Sequence, residues 1–376
     1  MTANGVRLLS LGTVPLLLLL SPVPVAGQQE QGLNLRSRTF VAMPLVNNNP
    51  AMKTSFGGIG MVLFRPNRRD TIAPPSVIGG AGLYSTNGSY VFGGVGRFLL
   101  KEDRLRLLAF GGTARVNNDF AYDLDSTTIR LVYSELRSFF GGEAQYRIAG
   151  RLYGGVAYNG IWTTYQFERG TEEQNDFSRA LFEYLGIEDN YVSSLGAALS
   201  YDTRDYQYYP TAGVNVEVRP KLFATFLGGD DQYVDIDYDA RYYHGFTPNH
   251  VLVLRVSGGS AFGDVPFGGY QVYGGRSALR GYAMGKYRGK HLIAGQAEFR
   301  WTFYRRVGAV AFAGAGTVWG GESQSEEDVF ARGLLPSVGA GLRFTLSTDK
   351  RINARIDYAF GVNGNDGLYL GIMEAF

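Results

Sequence analysis

From Val234 to Tyr242 the chain alternates strictly: Val234, Ile236, Tyr238, Ala240 and Tyr242 hold one parity, while Asp235, Asp237, Asp239 and Arg241 hold the other. Successive side chains of a strand point to opposite faces, so such a segment has one apolar and one ionisable face. It cannot lie in a dry core on both sides. The split recurs where Ile352, Ala354, Ile356, Tyr358 and Phe360 oppose Arg351, Asn353, Arg355 and Asp357, and where Ile293, Phe299, Trp301 and Phe303 oppose Gln296, Glu298, Arg300 and Thr302. Large aromatics outward with charges inward inverts the arrangement of a soluble protein. A closed sheet in lipid satisfies both faces: apolar side chains meet acyl chains and polar ones line a hydrated lumen. The expected fold is therefore all-β, a transmembrane antiparallel β-barrel.

The start of the chain sets the compartment. A single charge at Arg7, an apolar run from Leu8 to Leu20, and then Ser21, Pro22 and Pro24 read as a secretory signal. Val25 and Gly27 are small enough to place cleavage after Gly27. A helical anchor needs about 20 apolar residues, and this run is shorter and broken by Gly12 and Pro15. The expected organisation is a signal peptide at 1–27, a short periplasmic segment at 28–38 and the barrel at 39–376. Beyond the signal no run reaches the length of a spanning helix, although 45% of residues are apolar. That excludes a helical membrane protein. The 52 glycines, 25 tyrosines and 24 phenylalanines suit strands ending in aromatic girdles. With no cysteine, stability must come from hydrogen-bonded closure or a large core. A net charge of +2 gives no case for nucleic acid.

Strand patterns are expected at 39–46, 52–64, 75–85, 89–99, 104–116, 129–148, 151–168, 191–203, 212–227, 231–247, 250–262, 290–305, 307–319, 334–346, 351–360 and 367–376. Sixteen is even, as a barrel with both ends in the periplasm requires. Tight turns fall at Lys101 to Asp103, Ala149-Gly150, Thr247 to Asn249, Arg305-Arg306 and Ser347 to Lys350, and long loops at 117–128, 169–190, 263–289 and 320–333. Short turns belong in the periplasm and long loops outside. An open strand edge in hydrocarbon leaves amides unpaired, so the first and last strands are expected to meet. The segment Thr171 to Asn190 carries the pattern of a short helix, with Asn175 or Asp176 as cap, Phe177, Leu181 and Leu185 at spacing four, and Gly186 as stop. Its plain reading is a packed surface loop rather than a partner-binding helix.

The densest cluster of unusual residues runs from Tyr273 to Arg300: Gly274-Gly275-Arg276, Leu279-Arg280-Gly281-Tyr282 and Gln296-Ala297-Glu298-Phe299-Arg300. It resembles the BamA/TamA (bacterial surface antigen) superfamily of outer-membrane barrels, whose sixth extracellular loop carries an Arg-Gly-aromatic tip. In that family the tip folds into the lumen and pins its arginine to acidic groups on the wall. Asp202-Thr203-Arg204-Asp205 with Pro210 and Gly213 is similar to the family's periplasmic turn motif, and Met43-Pro44-Leu45 ahead of Pro50 to its barrel entry. Gly371 and Phe376 resemble its last-strand recognition signal. The resemblance implies that Arg280 enters the lumen. There a guanidinium loses hydration and needs a carboxylate, and Glu298, on the inward parity, is the expected partner.

The chain departs from the family in three places. Phe312-Ala313-Gly314-Ala315-Gly316 stands where relatives carry Phe-x-Asp-x-Gly, which leaves Arg280 one acidic partner short and the loop less firmly held. Glu374 replaces the penultimate aromatic. Few residues precede the first strand, so a member lacking the periplasmic POTRA receptor domains is expected. Gly308, Gly314 and Gly316 share a face, leaving room for the inserted loop.

Enzymatic chemistry has little to draw on: His244, His250 and His291 are the only histidines, and none has a serine or asparagine at useful strand spacing. No enzyme, cofactor or metal is expected. Asp230, Asp231, Asp235, Asp237 and Asp239 offer hard oxygen ligands, but the alternating three read better as a solvated wall. The resemblance implies insertion or translocation of protein or lipid at the bacterial outer membrane, through a lateral seam between Thr39 to Val46 and Gly367 to Phe376. The alternatives are a plugged, porin-like channel and a surface-interaction protein. Expected partners are outer-membrane lipids, the barrel-assembly machinery for its own insertion, a periplasmic or membrane protein supplying the receptor function, and a second copy in a homodimer.

Overall fold

Every strand in a bilayer must find its hydrogen-bond partners in other strands, because hydrocarbon offers none. In the computed structural model, which describes residues 38–49, 53–67, 69–124, 127–184, 187–274, 279–282, 287–320, 333–348, 350–362 and 364–376, sixteen strands do this as one antiparallel sheet. In chain order they are β1 (Thr39–Asn49), β2 (Lys53–Phe64), β3 (Ser76–Ser85), β4 (Tyr90–Leu100), β5 (Leu105–Leu124), β6 (Thr127–Ala149), β7 (Leu152–Gln166), β8 (Asn190–Asp202), β9 (Ala212–Phe223), β10 (Tyr233–Thr247) and β11 (His250–Gly263). They continue with β14 (His291–Tyr304), β15 (Val307–Trp319), β16 (Leu335–Ser347), β17 (Ile352–Gly361) and β18 (Asp366–Ile372). Between β11 and β14 lies a small hairpin of β12 (Gln271–Tyr273) and β13 (Tyr287–Gly289). One helix, α1 (Glu172–Tyr184), stands between β7 and β8. Among the described residues no helix is long and apolar enough to cross a membrane.

The parity read from the sequence governs which way side chains point. On β16, Val338, Leu342 and Phe344 are 58%, 59% and 51% exposed on the outer face, while Arg343 is 5% exposed inside. On β17, Ile356 and Phe360 face out, and Arg355 and Asp357 are buried in the lumen. Aromatic rings stack at the rims, as in Phe140–Trp162–Tyr191 at one end and His250–Trp301 at the other. All three histidines take part in such ring contacts: His244 with Tyr242 and Phe246, and His291 with Phe262 and Trp319.

Four features differ from the sequence expectation. The stretch 117–128, expected as a loop, is mostly strand: β5 and β6 pair from Leu105↔Tyr146 to Leu124↔Thr127 and rise past their neighbours. The segment after β7 does form a helix, but its cap is Thr171. The Thr171 hydroxyl accepts from the Gln174 amide (3.4 Å) and Gln174 Oε1 accepts from the Thr171 amide (3.1 Å), a reciprocal capping box. Asn175 instead ties back to Gly170, and Leu185 and Gly186 lie outside the described residues. The last strand stops at Ile372, and Met373, at φ +69°, turns the tail into the lumen. Finally, the sheet runs from β1 to β18 with no ladder joining the two, so the expected meeting of first and last strands is an unpaired seam among the described residues. The expected signal segment lies outside the described residues.

The lumen has two kinds of wall. Next to the seam, from β1 to β6, inward residues such as Leu45, Leu83, Val91, Val116 and Phe139 form a continuous apolar cluster. From β9 to β17 the inward face carries paired ions set among apolar groups such as Val251, Val253 and Phe312. Lys221 holds Asp235 and Asp237, and Asp239 sits between Arg241 and Arg255. These aspartates therefore neutralise neighbouring cations, and among the described residues no group of acids and histidines is arranged to hold a metal ion.

Candidate functional site

The densest ionic arrangement of the lumen lies against β14–β18, where the loop between β11 and β14 dips inward. Arg280 is 2% exposed. Its Nη2 donates to Glu298 Oε2 at 2.6 Å and to Gln296 Oε1 at 3.0 Å, and its Nη1 donates to Asp357 Oδ2 at 2.7 Å. The guanidinium carbon stands 3.4 Å from the centre of the Phe312 ring, a stacked cation–π contact. Strand parity explains the convergence. Gln296 and Glu298 on β14, Phe312 on β15 and Asp357 on β17 all point inward at about the same depth.

The rest of the tip is fixed as closely. Gly281, at φ +98°, brings its amide to Tyr369 Oη at 2.8 Å. Ser337 donates to the Arg280 carbonyl, and Tyr282 donates to the Pro336 carbonyl while accepting from the Val362 amide at 3.2 Å. Leu279 is fully buried with Tyr273, Leu292, Val318 and Leu335. A Cβ on Gly314 would come within 2.6 Å of the Leu279 side chain, and one on Gly316 within 2.7 Å of the Tyr273 ring. Those two glycines on β15 are the space the loop occupies.

Arg280, in the loop before β14, lies within a sixteen-strand antiparallel barrel and against its β14–β17 wall. The model of the Omp85 superfamily domain matches residues 98–372 of this chain. The chain belongs to the Omp85 superfamily. It is 24% identical over 211 residues to the outer membrane protein assembly factor BamA of Nitratidesulfovibrio vulgaris, a match covering 54% of this chain and 25% of that relative's length. Among solved structures its fold resembles BamA of Haemophilus ducreyi lacking POTRA domains 1–3 (TM-score 0.54, 16% identity, 90% of this chain and 69% of that one). It also resembles CdiB of Escherichia coli (TM-score 0.59, 12% identity, 95% and 68%). This Omp85 barrel is an outer-membrane protein.

The second acidic partner expected to be missing from this Omp85 loop site comes from a different strand. Asp357 on β17 takes the place of an aspartate on β15, and it also accepts from Arg343 Nη1 (2.5 Å) and Arg355 Nη1 (2.7 Å). Arg280 is therefore held by two carboxylates, and the loop is not held less firmly for lack of one. Parity had already placed Asp357 inside; nothing in one strand's sequence says how near it stands to a loop many residues away. Glu374 also gains a role unlike that of an aromatic on a lipid-facing strand. It accepts from Arg343 Nε (2.7 Å) and Asn353 Nδ2 (2.7 Å) within the lumen. Phe376 follows it inward to pack on Tyr243, Val251 and Val253, and its main-chain oxygen accepts from Arg300 Nη2 at 2.7 Å. Gly371 stays in the ladder, opposite Arg355.

The Asp202–Gly213 segment forms a tightly bonded turn between β8 and β9. Arg204 binds Asp202 through two bonds, Nε at 2.9 Å and Nη2 at 2.8 Å. Asp205 accepts from the amides of Thr211 (2.8 Å) and Ala212 (3.1 Å). Gly213, at φ +107°, lies so close to Thr203 that a Cβ would meet its carbonyl at 2.5 Å. The Pro210 carbonyl accepts from Arg300 Nη1 at 3.4 Å, which joins the turn to the ionic cluster. The residues flanking this motif that reach across the lumen, Tyr206 and Tyr208, carry no signal of their own in the sequence.

Proposed function

We propose that this Omp85 barrel assists insertion or translocation of protein or lipid at the outer membrane by lateral opening between β1 and β18. The observation that carries the reading is the unpaired seam: each of the other neighbouring strand pairs in the sheet forms a ladder, and among the described residues this junction does not. Unpaired amides and carbonyls in hydrocarbon cost several kcal/mol each, roughly, so an open edge is a poised acceptor for an incoming strand. β18 is also short. Its seven residues extend about 24 Å along the strand, and a tilt of about 40° leaves about 18 Å to span an apolar band of about 25 Å. A bilayer thinned to match lowers the barrier to a strand or lipid crossing beside it. The inward-folded Arg280 loop and the inward-turned tail stand against a permanently open pore.

The test uses the absence of native cysteine. Paired cysteines placed in β1 and β18 and oxidised across the seam should abolish assembly of an unfolded barrel client, or transbilayer movement of a fluorescent phospholipid, in vesicles carrying the protein. Reduction should restore it. Full activity in the oxidised state would refute lateral opening.

A further inference from the structure

The inner face of the unpaired seam is covered by a segment from the opposite side of the barrel. β8 and β9 lie half-way round the sheet from β1 and β18, yet the turn that joins them crosses the periplasmic mouth and reaches both banks. Tyr206 and Tyr208, 5% and 2% exposed, share one cluster with Val41 of β1, Leu63 of β2 and Ile372 and Met373 at the end of β18. The Tyr208 hydroxyl donates to the Pro75 carbonyl (2.7 Å) ahead of β3, and the Tyr206 hydroxyl donates to the Lys350 carbonyl (3.0 Å) ahead of β17. The two rings meet edge to face with centres 5.7 Å apart. One rigid turn thus bridges the strands on either side of a junction that has no ladder.

We propose that the turn 203–211 is a clasp: Tyr206 and Tyr208 hold the seam shut at its periplasmic end, and lateral opening requires their withdrawal. The proposal rests on the lateral reading above and assigns that reading positioning residues. The physical argument is one of reversibility. A hydrogen-bonded ladder resists opening along its whole length, in a medium that offers no replacement partners. A clasp of ring contacts and two hydroxyl bonds, sited at the watery mouth, releases by moving one turn, and water then satisfies the freed hydroxyls. The same turn stretches across the mouth beneath the lumen. A client arriving from the periplasm therefore meets the seam and its clasp before it meets the interior. The Asp202–Arg204 pair, the Asp205 bonds and Gly213 make the base stiff, so the two tyrosines move as a unit.

Seam width can be read without any client. Spin labels attached at Ala42→Cys and Leu368→Cys, which are both exposed on the outer face of β1 and β18, report the distance across the junction by pulsed dipolar spectroscopy in vesicles. The intact chain should give one narrow distance. The Tyr206→Ala/Tyr208→Ala protein should lose that narrow peak to a broad, longer distribution. Tyr206→Phe/Tyr208→Phe, which keeps the rings and protects folding, should show a smaller shift in the same direction. Heat-dependent migration in gels verifies that each barrel is folded. Distributions identical to the parent in both double variants would overturn the clasp, whatever the crosslinking experiment says about lateral passage. An oxidised seam that stays active would remove the lateral reading and leave the distance result to decide the clasp.

Discussion

The wall of β14–β17 and the wall of β1–β4, on which Arg97 is the inward charge among the described residues, enclose the same lumen with contrasting chemistry. On the first, four guanidinium groups (Arg280, Arg300, Arg343 and Arg355) interlock with Glu298, Asp357 and Glu374. These contacts are directional: a fork-shaped cation meets a carboxylate in few geometries. On the second, Leu45, Leu63, Val77, Leu83 and Val91 face inward, and glycines pair across strands at Gly58↔Gly82, Gly60↔Gly80 and Gly80↔Gly94. Apolar contact has no preferred angle and scales with area alone, so the side chains of this wall repack at little cost while the ladders beneath them keep their register. The loop is anchored to the wall that cannot deform, and the seam ends the wall that can.

Glu298→Ala should break this contrast most severely. It strips a buried partner from Arg280 and Arg300 together and leaves both cations in the lumen. Loss of one member of a buried pair costs about 3 to 5 kcal/mol. The expected result is a fall of that size in the unfolding free energy measured with urea in detergent, together with new protease cutting in the loop 264–290. Glu298→Gln, which keeps the shape, should recover the packing but not the anchoring. An unchanged midpoint and an uncut loop would show that the ionic wall is not what holds the loop.

Leu83→Ala probes the other wall. Buried leucines usually cost about 2 to 5 kcal/mol on truncation, depending on how far the surroundings collapse. A wall of non-directional contacts repacks well, so the loss should sit at about 2 kcal/mol, at the bottom of that range. Leu83→Met should be nearly neutral. A loss for Leu83→Ala as large as that for Glu298→Ala would erase the distinction between a stiff and a soft wall.

What the sequence made legible follows from the range of each signal. Parity is a property of neighbouring residues, so the inward faces, the sixteen strands and the placement of Glu298 could be read directly. Distances across a lumen depend on curvature and on which strands face each other, and no local pattern records them. Asp357 was therefore visibly inward yet unpaired with Arg280 on paper, and Tyr206 and Tyr208 gave no hint of the opposite bank. The tail leaves its strand pattern because Glu374 and Phe376 find partners inside: burial among Arg300, Arg343 and Val251 gives the inward path. For α1 the pattern was present but read in the wrong frame: Thr171-x-x-Gln174 is itself a capping box.

The smallest expected effect tests whether the outer hairpin of β5 and β6 is independent of both walls. β7 pairs with β6 only as far as Ser134↔Gln166, so the β6 residues before Ser134 expose an edge above the neighbouring strand. α1 covers it. The Val132 amide donates to Ser178 Oγ at 3.0 Å, Ser178 donates to the Gln174 carbonyl at 2.8 Å, and Phe182 packs 4.8 Å from Tyr133. Ser178→Ala leaves a buried edge amide without its acceptor, a loss of about 1 kcal/mol. Because α1 and this edge share no cluster with the seam or the ionic wall, the loss should stay local. Hydrogen exchange at Val132 should quicken several-fold, while the urea midpoint and the label distance between β1 and β18 stay where they were. Faster exchange in β1, or a wider seam, would mean that the outer hairpin and the seam are coupled and that softness is not confined to the wall beside it.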